Sequence, residues 1–215
     1  MTQWVTRYVC DLASVPSSDV LTNFYSYRDL DSARRRINLE LYLSAALARK
    51  PRLVLVGEAP GYRGTRRTGV PFTSERQLAD PVRCLQILGC TTPPEKDSSR
   101  EVARSEATST VMWRTLDELR TPVLLWAAVP FHPHRALQSA SNRRPSSHEI
   151  ELGLRFVHQL LRKACPARVV ALGAVAQIAL QHAGIDAVRI RHPARGGATE
   201  FRRGLIEAIR TLPPK

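Results

Sequence analysis

The sequence contains little lysine, little cysteine and no long apolar run, and each of these shortages excludes or disfavours a class of protein. Only four of the 32 basic residues are lysines, so arginine carries most of the positive charge behind a net charge of +13. The four cysteines fit free thiols in a reducing compartment better than a disulfide scaffold. No apolar run reaches membrane-spanning length, and residues 1–13 do not form a signal peptide. We therefore expect a cytoplasmic protein that does not act at a membrane.

Three common motifs of enzyme sites are also missing. The glycine-rich stretch at residues 57–64 is not followed by Gly-Lys-Ser/Thr, as a P-loop requires. Its glycine spacing differs from that of the dinucleotide-binding fingerprint. The Gly-x-Ser-x-Gly elbow of serine hydrolases is absent as well. These observations argue against P-loop nucleotide hydrolysis, dinucleotide-dependent redox chemistry and serine-nucleophile hydrolysis.

The length indicates a globular protein, and the positive charge suits a polyanionic partner. A chain of 215 residues with ordinary apolar content suffices for one α/β domain with its own core. An excess of arginine suits bidentate contacts to phosphate, as in nucleic acids. A compositional bias of the genome also enriches arginine, so charge alone leaves both explanations open.

Strand and helix patterns alternate along most of the chain. Continuous apolar runs predict buried strands at residues 53–56, 123–129, 168–172 and 187–190. Helical patterns lie between and after these runs, and Ser146-x-x-Glu149 is a capping box. We expect an α/β fold, a three-layer α/β/α sandwich around a mostly parallel four-stranded sheet. The whole chain, 1–215, is predicted to be a single domain, with a helical lead-in at 1–50 and an exposed insertion or loop at 91–107.

Two polar residues follow predicted strands. Glu58 lies at the end of the first strand, and His192 comes just after the last one. In open α/β sheets, ligands bind at the carboxyl ends of the strands. Gly57 and Gly61 flank the glutamate, and glycines let a ligand approach backbone N–H groups closely. Taken singly, each residue also fits a surface carboxylate, a turn or a histidine bonded to a loop carbonyl.

The motifs around these residues resemble the uracil-DNA glycosylase superfamily. Residues 57–61, Gly-Glu-Ala-Pro-Gly, followed by Gly-x-Pro-Phe at 69–72, resemble its motif one in the bacterial and archaeal branches that carry this sequence. Residues 192–194, His-Pro-Ala, resemble motif two. Residues 142–149, Asn-Arg-Arg-Pro-Ser-Ser-His-Glu, are similar to a segment between the two motifs. The resemblance implies the α/β fold described above and removal of a base from DNA.

The resemblance assigns a role to each matching residue. Glu58 is expected to position water and favour a cationic sugar, and His192 to hydrogen-bond the base carbonyl where negative charge grows. Phe72 is expected to stack on the extruded base, which contributes ~1–3 kcal/mol. Backbone amides of Gly57, Ala59 and Gly61 are expected to add contacts to the base.

Residues beside the two motifs are candidates for contact with DNA. Arg191 and Arg195 flank motif two, whose loop enters the minor groove in this family, and both are candidates for binding DNA. Arg195 is the candidate wedge or phosphate contact, although both residues also fit exposed arginines of a basic protein. Gly196 and Gly197 are expected to give this loop freedom or to bind phosphate through backbone N–H groups. His132 and His134 form a His-x-His sequence on a loop next to the predicted site. We expect them to contact DNA or assist catalysis, and no metal site is predicted because further ligands are not evident.

One position departs from the family pattern. Ala127 stands at the end of the second strand, where the family commonly has an asparagine that reads the uracil edge. An alanine side chain makes no hydrogen bond, so another group reads the base, the base is not uracil, or activity is weak. The expected function is a monofunctional glycosylase that removes uracil or another deaminated base, such as hypoxanthine or xanthine. The alternatives are a DNA-binding relative with weak or no excision, or a nucleotide- or nucleoside-hydrolysing enzyme.

The remaining expectations concern cofactors, partners and location. Some related glycosylases hold an iron–sulfur cluster with four cysteines, but Cys84 and Cys90 have five residues between them and no clear partners. No cofactor is therefore predicted. Single- or double-stranded DNA containing a damaged base is the expected partner. By resemblance, the protein is expected to be bacterial and nucleoid-associated. It is expected to be monomeric because the sequence contains no heptads or other assembly signature.

Overall fold

A computed structural model describes residues 2–89, 106–119 and 121–214. These residues form two compact units. The helical unit comprises residues 2–48, 60–89, 106–109 and 131–144, and the sheet unit comprises residues 49–59, 110–119, 121–130 and 145–214. The prediction of a single domain stays a prediction. The predicted insertion at 91–107 lies outside the described residues except for its last two positions.

The secondary-structure elements alternate between helices and short strands. In chain order they are α1 (Thr2–Ala13), β1 (Leu21–Thr22), α2 (Leu30–Ala48), β2 (Leu53–Gly57), α3 (Thr65–Thr68), α4 (Glu75–Ala79), α5 (Pro81–Leu88), α6 (Ala107–Leu119), β3 (Val123–Ala127), β4 (His132–Pro133), α7 (Ser147–Ala164), β5 (Arg168–Leu172), α8 (Ala174–His182), β6 (Val188–Ile190) and α9 (Ala198–Arg210). In this described part of the chain, no helix combines the length and apolarity needed to cross a membrane.

The sheet unit is built on four parallel strands in the order β3-β2-β5-β6. Every residue of β2 is buried, which explains why its sequence is a continuous apolar run rather than an alternating one. In the register of β2 with β3, Gly57 lies opposite Ala127. Helices α7, α8 and α9 pack against the strands of this unit. The predicted α/β fold with a four-stranded parallel sheet is confirmed.

The helical unit contains an antiparallel pair that the sequence patterns did not predict. Strands β1 and β4 have two residues each, and Leu21 pairs with Pro133 while Thr22 pairs with His132. Helix α1 packs against α2, which in turn packs against α5. Helices α1 and α2 lie within residues 2–48, and α1 is one helix of 12 residues rather than several short pieces.

Candidate active site

The carboxyl ends of the parallel strands carry the first candidate residues. Beyond β2 and β3 the hydrogen-bonded ladder continues, since the Ala128 N–H donates to the Gly57 carbonyl at 2.8 Å. The Val129 N–H donates to the Glu58 carbonyl at 3.0 Å. Both Glu58 and Ala127 are half-buried. The backbone that carries Glu58 is therefore held rigidly, and the Ala127 methyl group lies at the same edge of the sheet.

His192 lies at this edge too, two residues beyond the end of β6. Between β2 and β6 runs β5, which ends at Leu172 and is followed by Gly173. The Gly173 N–H donates to the Ile190 carbonyl at 2.9 Å. A Cβ atom built on Gly173 would be 3.5 Å from the His192 Cβ, so the imidazole-bearing backbone packs closely on the end of β5. The sheet thus brings Glu58 and His192 to one edge.

Hydrogen bonding and burial together set the chemical state of His192. The Ala194 N–H donates to Nδ1 of the His192 ring at 3.1 Å. The neutral ring therefore carries its proton on Nε2, which becomes a hydrogen-bond donor. Burial, and to a smaller degree the positive charge of Arg191, lower the pKa of His192 below its ordinary value of 6.5. At neutral pH this ring is an uncharged donor.

The loop after His192 makes a tight turn with its tip at the surface. Arg195 and Gly196 have φ angles of 53° and 76°, and both residues are exposed. The Gly197 N–H closes the turn on the Ala194 carbonyl at 3.1 Å. Arg191, at the start of the loop, is exposed as well. The two arginines of the motif-two loop are thus accessible to a large ligand.

Phe72 lies in the helical unit, in a strained backbone conformation. Its φ angle is 52°, a left-handed value that costs a bulky residue on the order of 1–3 kcal/mol. The Phe72 N–H donates to the Thr65 hydroxyl at 3.0 Å. Nearby, the Tyr25 hydroxyl donates to the Gly69 carbonyl at 2.8 Å, and a side chain on Gly69 would collide with the Arg35 backbone. These contacts hold the backbone that carries the half-buried Phe72.

Two polar side chains, those of Glu106 and Asn142, lie against Gly61. The Asn142 Oδ1 accepts a hydrogen bond from the Tyr62 N–H at 3.1 Å. A Cβ atom on Gly61 would be 3.4 Å from a Glu106 carboxylate oxygen and 3.7 Å from the Asn142 amide nitrogen. Burial raises the pKa of Glu106. Gly61, the last residue of the Gly-Glu-Ala-Pro-Gly motif, is therefore flanked by the Asn142 amide and by the Glu106 carboxyl group, whose pKa is raised.

His132 and His134 are both buried, and the exposed fraction of His132 is 0%. The His132 Nδ1 is 2.8 Å from the Pro60 carbonyl oxygen, and its Nε2 is 3.3 Å from that of Ser139. The His134 Nε2 is 2.9 Å from the Thr22 hydroxyl oxygen. The expectation that these rings contact DNA or assist catalysis stays a prediction. Each ring holds local backbone or side-chain partners, and His132 fixes the carbonyl of Pro60 within motif one.

The cysteines do not gather in the part of the chain that the structure describes. Cys84 is buried, and Cys10 and Cys165 are exposed. Cys90 lies outside the described residues. Among residues 2–89, 106–119 and 121–214, no cluster of three or more metal-ligating side chains is found.

Comparisons with known proteins place these motifs in a wider context. The family model described as the Uracil DNA glycosylase superfamily matches residues 45–212. The crystal structure of wild-type SMUG2 from Pedobacter heparinus has a TM-score of 0.66 at 16% identity, covering 98% of this chain and 97% of the other. Wild-type UNG from Nitratifractor salsuginis gives a TM-score of 0.43 at 15% identity, covering 97% and 96%, and supports no conclusion. No curated protein sequence matches. The similarity to SMUG2 shows a shared fold.

Proposed function

Because this chain belongs to the uracil DNA glycosylase superfamily, we propose that it is a monofunctional glycosylase that releases a deaminated base, uracil first, from DNA. The observation that carries the proposal is the placement of Glu58 and His192 at one edge of the parallel sheet. Ligands bind at this edge in open α/β sheets. A carboxylate can orient water and stabilise a cationic sugar, and a neutral imidazole donor can stabilise the negative charge on the leaving base.

The reaction divides between these two groups. As the bond between C1′ and the base nitrogen breaks, its electron pair moves onto the base and the sugar becomes cationic. His192 donates its Nε2–H to the base carbonyl oxygen, where the negative charge grows. Glu58 stabilises the sugar cation and orients the water that adds to C1′. The water provides a hydroxyl to the sugar and a proton to the base, so the products are an abasic site and the free base.

The family motifs assign roles to three further groups. Phe72 provides a ring on which the extruded base stacks, and its fixed, strained backbone supports this role. The backbone amides of Gly57, Ala59 and Gly61 add donors to the base. Arg191 and Arg195 in the exposed motif-two loop contact the DNA.

Ala127 bears on which base is released. Because Ala127 has no side-chain amide to hydrogen-bond the base, the end of β3 favours weaker recognition of uracil or recognition of a different deaminated base. Alanine at this position also supports the second candidate function, a DNA-binding relative with little or no excision.

The experiment is single-turnover excision from labelled oligonucleotides carrying one uracil, hypoxanthine, xanthine or thymine mismatch, read by alkali cleavage at abasic sites. We expect Glu58→Gln to lower the rate on the preferred base by about 10²-fold or more, as for a positioned acid–base group. His192→Ala removes the donor to the leaving base, for which about 10²–10³-fold is expected. Both variants should bind DNA with nearly wild-type affinity.

The controls are Glu151→Gln and His148→Ala, which make the same changes at exposed positions of α7. Neither should alter the rate. Equal excision by wild type and by both site variants would refute the assignment of Glu58 and His192. DNA binding without cleavage of any base would favour the binding-protein alternative.

A further inference from the structure

An open groove of about 730 Å³ lies in the sheet unit, beside the edge strand β6. One wall is β6 with the residue that follows it, and the other is the facing side of α9. Gly204 allows this close packing, because a Cβ atom there would be 3.0 Å from the Ile190 side chain. None of the chemical steps proposed above takes place in this groove.

Arginine dominates the lining of the groove. Four arginines and two glutamates line it: Arg189, Arg191, Arg202, Arg203, Glu200 and Glu207. A guanidinium nitrogen of Arg210 donates a hydrogen bond to a Glu207 carboxylate oxygen at 2.9 Å. Arg202 forms an ion pair with Glu118 in which the nitrogen and oxygen are 2.8 Å apart. Within the described part of the chain, Arg189 and Arg203 have no hydrogen-bond or ion-pair partner through their side chains. Two exposed guanidinium groups, one from each wall, are therefore available to an anionic ligand.

The chemistry and direction of the groove fit one occupant. We propose that it binds the phosphodiester backbone of the DNA substrate through Arg189 and Arg203. Guanidinium groups bind phosphate oxygens bidentately, and an open groove with arginines on both walls suits a chain of phosphates. Arg189 and Arg191 lie two residues apart on one side of β6, ~6.6 Å along the strand, and the chain then continues into His192. This proposal rests on the proposed function, because it takes DNA as the ligand.

These arginines also have a simpler explanation, and the experiment must distinguish it from DNA binding. Charged side chains on an edge strand discourage pairing with strands of other molecules, whether or not DNA binds there. We compare the double variant Arg189→Gln/Arg203→Gln with the control double variant Arg7→Gln/Arg162→Gln. The control removes the same charge from exposed positions on α1 and α7, outside the groove.

The measurement is fluorescence anisotropy of a labelled, uracil-containing duplex titrated with each protein at several NaCl concentrations. For the groove variant we expect affinity to fall about tenfold or more at low salt. The slope of log K against log [NaCl] should become shallower by about 2, since each lost phosphate contact removes about 0.9. The control variant should keep nearly the wild-type slope. Circular dichroism and the melting temperature check that each variant is folded.

An equal loss in both double variants would overturn the groove proposal, because net charge alone would then explain binding. Wild-type affinity and slope in the groove variant would overturn it as well, as would a wild-type protein that binds no DNA. The proposed function has a separate test, the excision assay. A protein that binds DNA through the groove and excises no base would contradict the enzyme proposal while supporting the groove.

Discussion

The state of a single side chain, His192, links the geometry of the sheet edge to the proposed chemistry. The sequence motif predicts the role of His192, but it does not specify which ring nitrogen carries the proton. The Ala194 N–H settles this by donating to Nδ1. Burial and Arg191 then keep the ring neutral at pH 7 by lowering its pKa. A neutral donor stabilises a developing anion without needing a proton from solvent.

We therefore predict that the pKa of His192, measured by NMR titration of its Cε1–H, is below 6.5. Replacing Arg191 with glutamine removes a positive charge beside the ring, so the pKa should rise in Arg191→Gln. The control is Arg189→Gln, which removes the same charge two residues earlier and should change the pKa less. A pKa that does not move in Arg191→Gln would contradict the electrostatic assignment.

Among the elements, the sequence predicted those whose apolar pattern is long or continuous. Strand β2 is a fully buried apolar run, and β5 is buried over its last three residues. The capping box of Ser146 and Glu149 is present at the start of α7. The pair β1–β4 was missed because two-residue strands carry no periodicity. Helix α1 was divided into pieces, although its buried residues follow the helical spacing i, i+3, i+4, i+7.

The candidate site was predictable to the same extent. Glu58 and His192 follow strands that the sequence shows plainly, and parallel strands bring their ends to one edge. The contacts of Glu106 and Asn142 with Gly61 join residues more than forty positions apart, and no local pattern encodes them. The burial of His132 was also hidden, since it depends on acceptors at Pro60 and Ser139.

The packing of α7 on the end of β3 gives a test at the scale of elements. A Cβ atom on Gly153 would lie 2.1 Å from the Ala128 carbonyl oxygen and 2.8 Å from the Val129 Cα. These neighbours are backbone atoms, so we expect Gly153→Ala to cost about 3 kcal/mol by overpacking. Better helix propensity returns about 1 kcal/mol, which leaves a net loss of about 2 kcal/mol in the free energy of unfolding.

Urea denaturation measures this loss, with Glu151→Ala on the exposed side of α7 as the control. The control introduces the same residue in the same helix and should change stability by less than about 0.5 kcal/mol. A Gly153→Ala protein as stable as wild type would show that α7 can move away from β3 at no cost.

Across the whole molecule, the excess of positive charge works in two directions. A net charge of +13 favours binding to DNA, but like charges also repel one another in the folded state. The helical unit shows this locally. Burial lowers the pKa of Arg66, and so do the neighbouring charges of Arg35 and Arg67. Stability and DNA affinity should therefore respond to salt in opposite ways.

We predict that raising NaCl from 0.01 M to 0.15 M increases the urea midpoint of the free protein and weakens its binding to DNA. The Debye length falls from about 30 Å to about 8 Å over this range, which screens repulsion between exposed arginines. The gain in stability should be on the order of 1 kcal/mol, since one like-charge pair at 4 Å costs about that much in water. Sorbitol at equal osmolarity, which does not screen charge, is the control.

A urea midpoint that falls with NaCl would mean that ion pairs such as Arg67–Glu75 and Arg202–Glu118 outweigh the repulsion. The arginine excess would then be organised to stabilise the fold as well as to hold DNA.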